Sequence, residues 1–200
     1  MSEHYYTQEP SSAHDERRVA ITALGNELTF ITDAGVFSRD GLDRGTELLL
    51  EALPALSGRV LDLGCGWGPV GVTLARKYPG LDVTMTDINA RAVDLARRNA
   101  EANGASARVV QGDGYARAEG RYDAIITNPP IRAGKAVIYA LFDDARDHLA
   151  PGGALFIVIR KQQGAPSALK HLGEVYSNVE ILDREAGFWV IRASDGCALS

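Results

Sequence analysis

The tripeptide Asn128-Pro129-Pro130 follows an apolar run, YDAIIT, that predicts a buried strand. Proline keeps the residue before it out of helical geometry, so the two prolines hold this corner extended and rigid. The side-chain oxygen of Asn128 and the carbonyl oxygen of Pro129 can then accept both protons of one planar NH2 group. Such acceptors orient the amine and favour attack by its nitrogen on an electrophile. The alternative interpretation of the tripeptide alone is an ordinary strand-ending turn.

A glycine-rich loop, DLGCGWGPVG, follows a second apolar run, RVLDL. Gly64, Gly66 and Gly68 allow a tight turn and a close approach of the backbone to a small ligand. Cys65 lies within this loop, but no histidine is near it in sequence, so we interpret it as a small apolar filler and not a nucleophile. For a lone motif, a turn that serves only packing stays open as an alternative.

Three acids, Asp62, Asp87 and Asp113, lie at or just beyond the ends of three successive predicted strands. Asp62 would repel a pyrophosphate and attract a cationic ligand, whereas Asp87 could accept from two ribose hydroxyls and Asp113 from an adenine amino group. S-adenosylmethionine offers a sulfonium, an ammonium, an adenosine, and a carboxylate that suits the amides at a helix start. We therefore expect this cofactor, although either Asp87 or Asp113 alone also fits an exposed loop acid or a helix cap.

The same loop also satisfies the dinucleotide pattern G-x-G-x-x-G through Gly66, Gly68 and Gly71, with Asp87 at a suitable distance for a ribose. A nicotinamide-dependent oxidoreductase is therefore an alternative class of function, which the charge of Asp62 disfavours. A non-catalytic RNA-binding module that keeps the fold is another.

Apolar strands alternate with amphipathic helices from Val60 onwards, which predicts a mostly parallel sheet covered on both faces. The expected core strands are RVLDL, LDVTMT, ARVVQ, YDAIIT and ALFIVI, and the expected helices cover 70–78, 90–103, 135–149 and 167–176. NVEILDRE and GFWVIRAS have no helix between them, so they predict a hairpin around Ala186-Gly187 with one antiparallel strand. The predicted fold class is α/β, a Rossmann-like doubly wound sheet of seven strands, in which ligands bind at the carboxyl ends.

Before this core, alternating residues around Gly25-Asn26 predict a small hairpin, and leucines at helical spacing predict a helix from Thr46 to Pro54. We also expect Asn89 to cap the helix that follows it and Gly104 to end that helix. Residues 1–56 are interpreted as an N-terminal extension and 57–200 as the catalytic domain, together one compact unit.

Composition narrows the class of protein. The 200 residues are 46% hydrophobic and carry a net charge of −5, so any RNA binding requires a local basic patch. Without a long apolar window or a secretion signal, the sequence predicts a cytoplasmic protein with no membrane partner. Cys65, Cys197 and four scattered histidines lack metal-type spacing, so no metal is expected. The oligomeric state stays open.

DLGCGWG, with Asp87, Asp113 and the NPP corner, resembles the class I S-adenosylmethionine-dependent methyltransferases, and NPP resembles those that act on the amino nitrogens of adenine, guanine or glutamine. The segment GVFSRDGLDRGTELLL is similar to the methyltransferase small domain family, specifically the small-subunit rRNA guanine-N2 methyltransferases of type C. NPPIRAGK is similar to single-domain members. Full-length members of that family carry a further N-terminal copy of the domain, and by this resemblance we expect this chain to lack it.

This resemblance implies a set of site residues and a substrate. Asn128, Pro129 and Pro130 would form the catalytic corner. The implied cofactor-binding residues are Phe37, Thr46, Asp62, Gly64, Cys65, Gly66, Gly68, Asp87, Ile88, Asp113, Gly114 and Asn128. The implied substrate is the exocyclic N2 of a guanine in 16S rRNA, as free RNA or in the assembled subunit, and no DNA. A protein glutamine N5 and an adenine N6 are the alternative acceptors.

The substrate side departs from the family at Ile131, where an aromatic residue commonly stacks on the target base, so base selectivity is less defined. Basic residues follow the fourth and fifth core strands and could contact phosphates. The substrate-binding candidates are therefore Ile131, Arg132, Lys135, Arg160 and Lys161. A solvated surface is the alternative explanation for the four cations.

Overall fold

The computed structural model describes residues 13–196, which contain a two-stranded hairpin, a seven-stranded sheet and five α-helices. The strands are β1 Arg17–Ala23, β2 Asn26–Thr32, β3 Arg59–Leu63, β4 Asp82–Asp87, β5 Ala107–Gln111, β6 Tyr122–Thr127, β7 Leu149–Arg160, β8 Asn178–Glu185 and β9 Phe188–Ser194. The helices are α1 Arg44–Ala52, α2 Pro69–Lys77, α3 Ala90–Ala102, α4 Lys135–His148 and α5 Ala165–Val175. Two short 3-10 helices cover Ile131–Ala133 and Lys161–Gln163.

The seven strands lie in the order β5-β4-β3-β6-β7-β9-β8. Strands β3 to β7 are parallel, and β9 runs antiparallel to both of its neighbours, which confirms the predicted mixed sheet and C-terminal hairpin. The chain order reverses between β3 and β6, and their register pairs Asp62 with Ile126. A crevice therefore opens where the glycine loop leaves β3 and Asn128 follows β6.

Successive side chains of each strand point to opposite faces of the sheet, so the buried residues form two separate apolar cores. In β3, Val60 belongs to the core that also contains Leu48 and Leu74, from α1 and α2. Leu61, its neighbour, belongs to the core that contains Phe142, from α4. All five side chains are fully buried, so the parallel sheet is covered on both faces as predicted.

Asn99 and Phe30 connect the N-terminal hairpin to Trp67, at the end of the glycine loop. Asn99 on α3 accepts from the backbone N–H of Ile31 and donates to the carbonyl oxygens of Ile31 and Trp67, at 2.7 to 2.9 Å. Phe30 packs edge-on against the Trp67 ring, with 5.0 Å between centroids. The hairpin therefore supports Trp67, which precedes the cap of α2.

Three of the local differences from the sequence predictions have a clear structural cause. The first hairpin turns at Leu24-Gly25, not Gly25-Asn26, because these two residues adopt positive φ of 49° and 76° and Asn26 already pairs with Ala23. Helix α1 begins at Arg44, two residues before Thr46, because the Asp43 side chain caps it. Strand β7 begins at Leu149, since that residue pairs with Tyr122 across an irregular register.

Both predicted ends of α3 are confirmed. Asn89 caps α3 through its side-chain oxygen, and Gly104 adopts a φ of 60° just beyond the end of that helix. Cys197 lies outside the described residues, whereas Cys65 is a buried free thiol. Within 13–196, none of the helices combines the length and apolar character needed to cross a membrane.

Candidate active site

A cavity of about 790 Å³ opens at the carboxyl ends of the parallel strands. It brings together most of the side chains selected from the sequence. The predicted residues that line it are Phe37, Thr46, Asp62, Gly64, Cys65, Gly66, Asp87, Ile88, Asp113, Gly114, Asn128, Pro129, Pro130, Ile131, Arg132 and Arg160.

Three of the predicted residues lie outside this lining. Gly68 forms the left-handed start of α2, and a Cβ there would lie 3.3 Å from the Cα of Ala96, so the position serves the packing of α2 against α3. Lys135 places its ammonium 4.9 Å from the centre of the Tyr139 ring, beside a smaller cavity. Lys161 is exposed beyond the end of β7.

The glycine loop presents bare backbone to the cavity. Gly64 and Gly66 have φ of 71° and 56°, the left-handed region that favours glycine. The backbone N–H groups of Gly64 and Cys65 donate to the Thr86 carbonyl oxygen, which holds the loop against β4. A Cβ at Gly64 or Gly66 would meet no protein atom within 4 Å, so a ligand can approach the backbone there.

Asp62 is buried beneath this loop and is 3% exposed. Its Oδ2 accepts from the backbone N–H of Gly71 at 2.8 Å. Burial raises the pKa of Asp62 to about 7, the charge of Asp87 adds to this rise, and the Gly71 hydrogen bond opposes it. A bound cation would favour the charged carboxylate. A phosphate would not favour the charged carboxylate. The backbone N–H of Gly71, at the start of α2, already donates to Asp62 and is not available to a phosphate, which disfavours the dinucleotide interpretation.

Asp87, the last residue of β4, contacts both the loop after β3 and the start of α3. Its Oδ2 accepts from the N–H of Gly66 and its Oδ1 from the N–H of Asn89, both at 2.8 Å. Burial raises its pKa, and backbone hydrogen bonds oppose that rise. Each oxygen keeps a lone pair for a further donor.

Asp113 is exposed at the same cavity, where Leu141 adds an apolar side chain.

The carboxylates do not assemble into a metal site. Throughout 13–196, no three His, Cys, Asp or Glu side chains are grouped so that they could hold an ion. Asp62, Asp87 and Asp113 line the cavity, where carboxylate oxygens can accept hydrogen bonds.

Asn128 reaches the cavity at the end of β6 and is held by α1. Its Nδ2 donates to Thr46 Oγ1 at 3.0 Å and lies 3.5 Å from Asp43 Oδ2. Sequence reasoning missed Asp43 as a site residue. An aspartate before a helical repeat does predict an N-cap, but not a contact with a residue 85 positions later.

The rim of the cavity includes the aromatic side chain of Phe37 and the cation of Arg160. Phe37 is 41% exposed, and its carbonyl oxygen accepts from the Trp67 indole N–H at 2.9 Å, so buried Trp67 fixes the rim loop. The Arg160 guanidinium lies 4.6 Å from the centre of the Phe188 ring. Trp67 and Phe188 also line the cavity, and neither was singled out from the sequence.

Known proteins resemble this chain in sequence and in fold. Residues 27–192 match the methyltransferase small domain family. The YbxB protein of Bacillus subtilis is 39% identical over 198 residues, covering 96% of this chain and 98% of its own. The ribosomal RNA small subunit methyltransferase C of Aeromonas hydrophila is 44% identical over 145 residues, or 70% of this chain and 42% of its own.

Among solved structures, a T. thermophilus 16S rRNA N2 methyltransferase (RsmC) in complex with AdoMet and guanosine aligns with a TM-score of 0.81 at 31% identity. The alignment covers 94% of this chain and 52% of that one. The chain thus spans about half the length of the rRNA methyltransferases it matches. Since the family match extends over most of the described residues, the chain belongs to the methyltransferase small domain family.

Proposed function

We propose that this chain binds S-adenosylmethionine in the cavity and methylates the exocyclic N2 of a guanine in 16S rRNA. One observation carries the proposal. The adjacency of β3 and β6 places the glycine loop and the Asn128-Pro129 corner in the same cavity.

The residues of the cavity fit this cofactor. The open space in front of Gly64 and Gly66 leaves room for close contact with backbone. Asp62 would face a cationic group, and the remaining lone pairs of Asp87 suit two neighbouring ribose hydroxyls. Asp113 would accept from the adenine amino group. When bound, the cofactor supplies a methyl group made electrophilic by its sulfonium.

The acceptor amine would be oriented by the corner after β6. Asn128 Oδ1 and the Pro129 carbonyl oxygen would each accept one of its protons, which directs the nitrogen lone pair into the cavity. Pro129 is buried, so its backbone is fixed before the substrate arrives. These acceptors also stabilise the positive charge that develops on nitrogen. The excess proton can leave after transfer, and no general base is needed.

An RNA substrate is supported by the charges around the cavity. Arg132, Lys135, Arg160 and Lys161 are all exposed, at the carboxyl ends of β6 and β7. Cations at this edge would contact phosphates while a base enters the cavity. The Aeromonas hydrophila relative is named as a small-subunit rRNA methyltransferase, and the solved RsmC structure contains guanosine. Ile131 offers apolar contact to the base without an aromatic face.

Methyl transfer tests the proposal directly. Small ribosomal subunits and free rRNA from cells that lack this protein would be incubated with labelled S-adenosylmethionine, and modified nucleosides identified by mass spectrometry. We expect N2-methylguanosine with the wild type and almost none with Asn128→Ala, at similar cofactor affinity. N6-methyladenosine, or label only in a protein glutamine, would overturn the guanine assignment. Unchanged turnover of Asn128→Ala would overturn the role of the corner.

A further inference from the structure

Three side chains connect the cap of α1 to the corner after β6. Asp43 Oδ1 accepts from the backbone N–H groups of Gly45 and Thr46, at 3.0 and 3.3 Å, and so caps the helix. Its other oxygen, Oδ2, accepts from the Thr46 hydroxyl at 2.5 Å. Thr46 Oγ1 in turn accepts from Asn128 Nδ2 at 3.0 Å. We call Asp43, Thr46 and Asn128 the relay.

The chemistry of the partners gives the relay a direction. A carboxylate only accepts hydrogen bonds, so the single proton of the Thr46 hydroxyl is committed to Asp43. Thr46 Oγ1 can then only accept from Asn128. A reversed amide would bring Asn128 Oδ1 against two acceptors, Thr46 Oγ1 and Asp43 Oδ2, with no proton between them. The NH2 group of Asn128 must therefore face α1.

This orientation leaves a specific atom for the cavity. The amide of Asn128 is trigonal and its nitrogen is turned towards Thr46, so Oδ1 is the polar atom that a ligand meets. Asn128 and Thr46 both line the cavity, and Thr46 is 4% exposed, so water does not readily replace the hydroxyl. An acceptor, not a donor, faces the incoming substrate.

We infer that Asp43 and Thr46 are positioning residues, which keep Asn128 Oδ1 facing the acceptor amine throughout the catalytic cycle. The inference rests on the proposed function, because it assigns Asn128 to that amine. The N-terminal segment thus does more than pack against the sheet: its helix cap determines whether the corner offers an acceptor or a donor.

Asp43→Asn reverses the relay while keeping the cap. Asparagine caps helices as well as aspartate does, so its Oδ1 would stay on the backbone N–H groups and its NH2 would face Thr46. The Thr46 hydroxyl would then donate to Asn128, whose NH2 would turn into the cavity. We expect kcat to fall about 100-fold, the scale for losing one preorganised polar contact. The melting temperature and the S-adenosylmethionine Kd should stay near wild type.

Position 46 gives a matched pair of variants. Thr46→Ser keeps the hydroxyl and should retain at least about a third of kcat. Thr46→Val keeps the shape of the side chain but removes the hydroxyl. We expect kcat to fall more than tenfold, somewhat less than the about 10²-fold for a lost preorganised contact, because Asn128 retains a weaker direct contact with Asp43. Equal kcat in these two variants would overturn the relay.

A double variant tests the direction of the hydrogen bonds. In Asp43→Asn with Asn128→Asp, the Thr46 hydroxyl can donate to one oxygen of the new carboxylate while the other oxygen faces the cavity. We expect kcat at least tenfold above that of Asp43→Asn alone, a difference of about 1.4 kcal/mol in activation free energy. No recovery, or wild-type kcat in Asp43→Asn, would overturn the inference.

The outcomes also separate the inference from the proposed function. If the wild type transfers no methyl group from S-adenosylmethionine to RNA, the function itself fails. If the wild type is active and Asn128→Ala is not, but Asp43→Asn turns over normally, only the relay fails.

Discussion

The carboxylate of Asp87 accepts a hydrogen bond from the backbone N–H of Gly66 at 2.8 Å, so the end of β4 fixes the shape of the loop after β3. Its second oxygen accepts from the N–H of Asn89, the capping residue of α3. One side chain therefore positions both the glycine loop and the start of a helix.

Replacing Asp87 with asparagine should weaken cofactor binding more than tenfold. Only one oxygen would remain to accept, so the N–H of Gly66 or of Asn89 would face an NH2 group, at a cost of about 1–3 kcal/mol. Calorimetric titration with S-adenosylmethionine measures the effect. Asp82→Asn, at the opposite and more exposed end of β4, should bind within about twofold of wild type, which corresponds to about 0.4 kcal/mol. Equal affinities for the two variants would contradict this role of Asp87.

The buried carboxyl of Asp62 predicts a pH dependence of stability. Its folded-state pKa of about 7 lies above the ordinary value of 3.8, so between these values the folded protein binds more protons than the unfolded chain. The free energy of unfolding must then fall as the pH rises from about 4 to about 7, by up to about 1.4 kcal/mol per pH unit.

Urea unfolding of the ligand-free protein at pH 5 and pH 7 checks this sign. Asp62→Asn can still accept from Gly71 but cannot ionise, so its unfolding free energy should vary less over the same interval. The rise in the pKa of Asp87 acts in the same direction and remains in both proteins, so the difference between them isolates Asp62. Identical pH profiles would show that Asp62 does not titrate in this window.

Much of the site could be predicted because its residues lie at strand ends. Periodicity locates β3, β4 and β6, and parallel pairing then brings the residues after them to one edge. Asp62, Asp87 and Asn128 meet at one cavity for this reason alone.

The relay could not be predicted in this way. Asp43 and Asn128 are 85 positions apart, on a capping residue and a strand end that no periodic pattern relates. Their contact depends on how α1 docks against β7 and β9, which is decided by buried leucines such as Leu48 and not by polar residues. Trp67 was missed for a similar reason, since its hydrogen bond to Phe37 joins segments 30 positions apart.

Two glycines of the same loop should respond differently to alanine. Gly64 and Gly68 both have positive φ, of 71° and 88°, so each substitution costs about 1–2 kcal/mol in backbone strain. The Cβ at Gly64 would enter the open space of the cavity, whereas the Cβ at Gly68 would press on Ala96. We expect both variants to melt at lower temperature, and only Gly64→Ala to lose more than tenfold in cofactor affinity. Similar affinity losses at the two positions would refute the placement of the ligand against Gly64.

Arg160 provides a test of the RNA-facing edge. Its guanidinium is fixed over the Phe188 ring at the cavity, so little side-chain freedom is lost when it contacts a phosphate. Arg160→Ala should weaken binding to an rRNA fragment by roughly 1 kcal/mol or more and lower the salt slope of log K by about 1, because one phosphate contact disappears. Filter binding at several salt concentrations measures both quantities.

Arg76→Ala is the matched control, since Arg76 lies in the last turn of α2 while the first turn of that helix lines the cavity. The two arginines carry the same charge, so net charge alone would predict equal losses. A loss confined to Arg160→Ala places the phosphate backbone at the carboxyl edge of the sheet, whereas equal losses would remove the RNA from that edge.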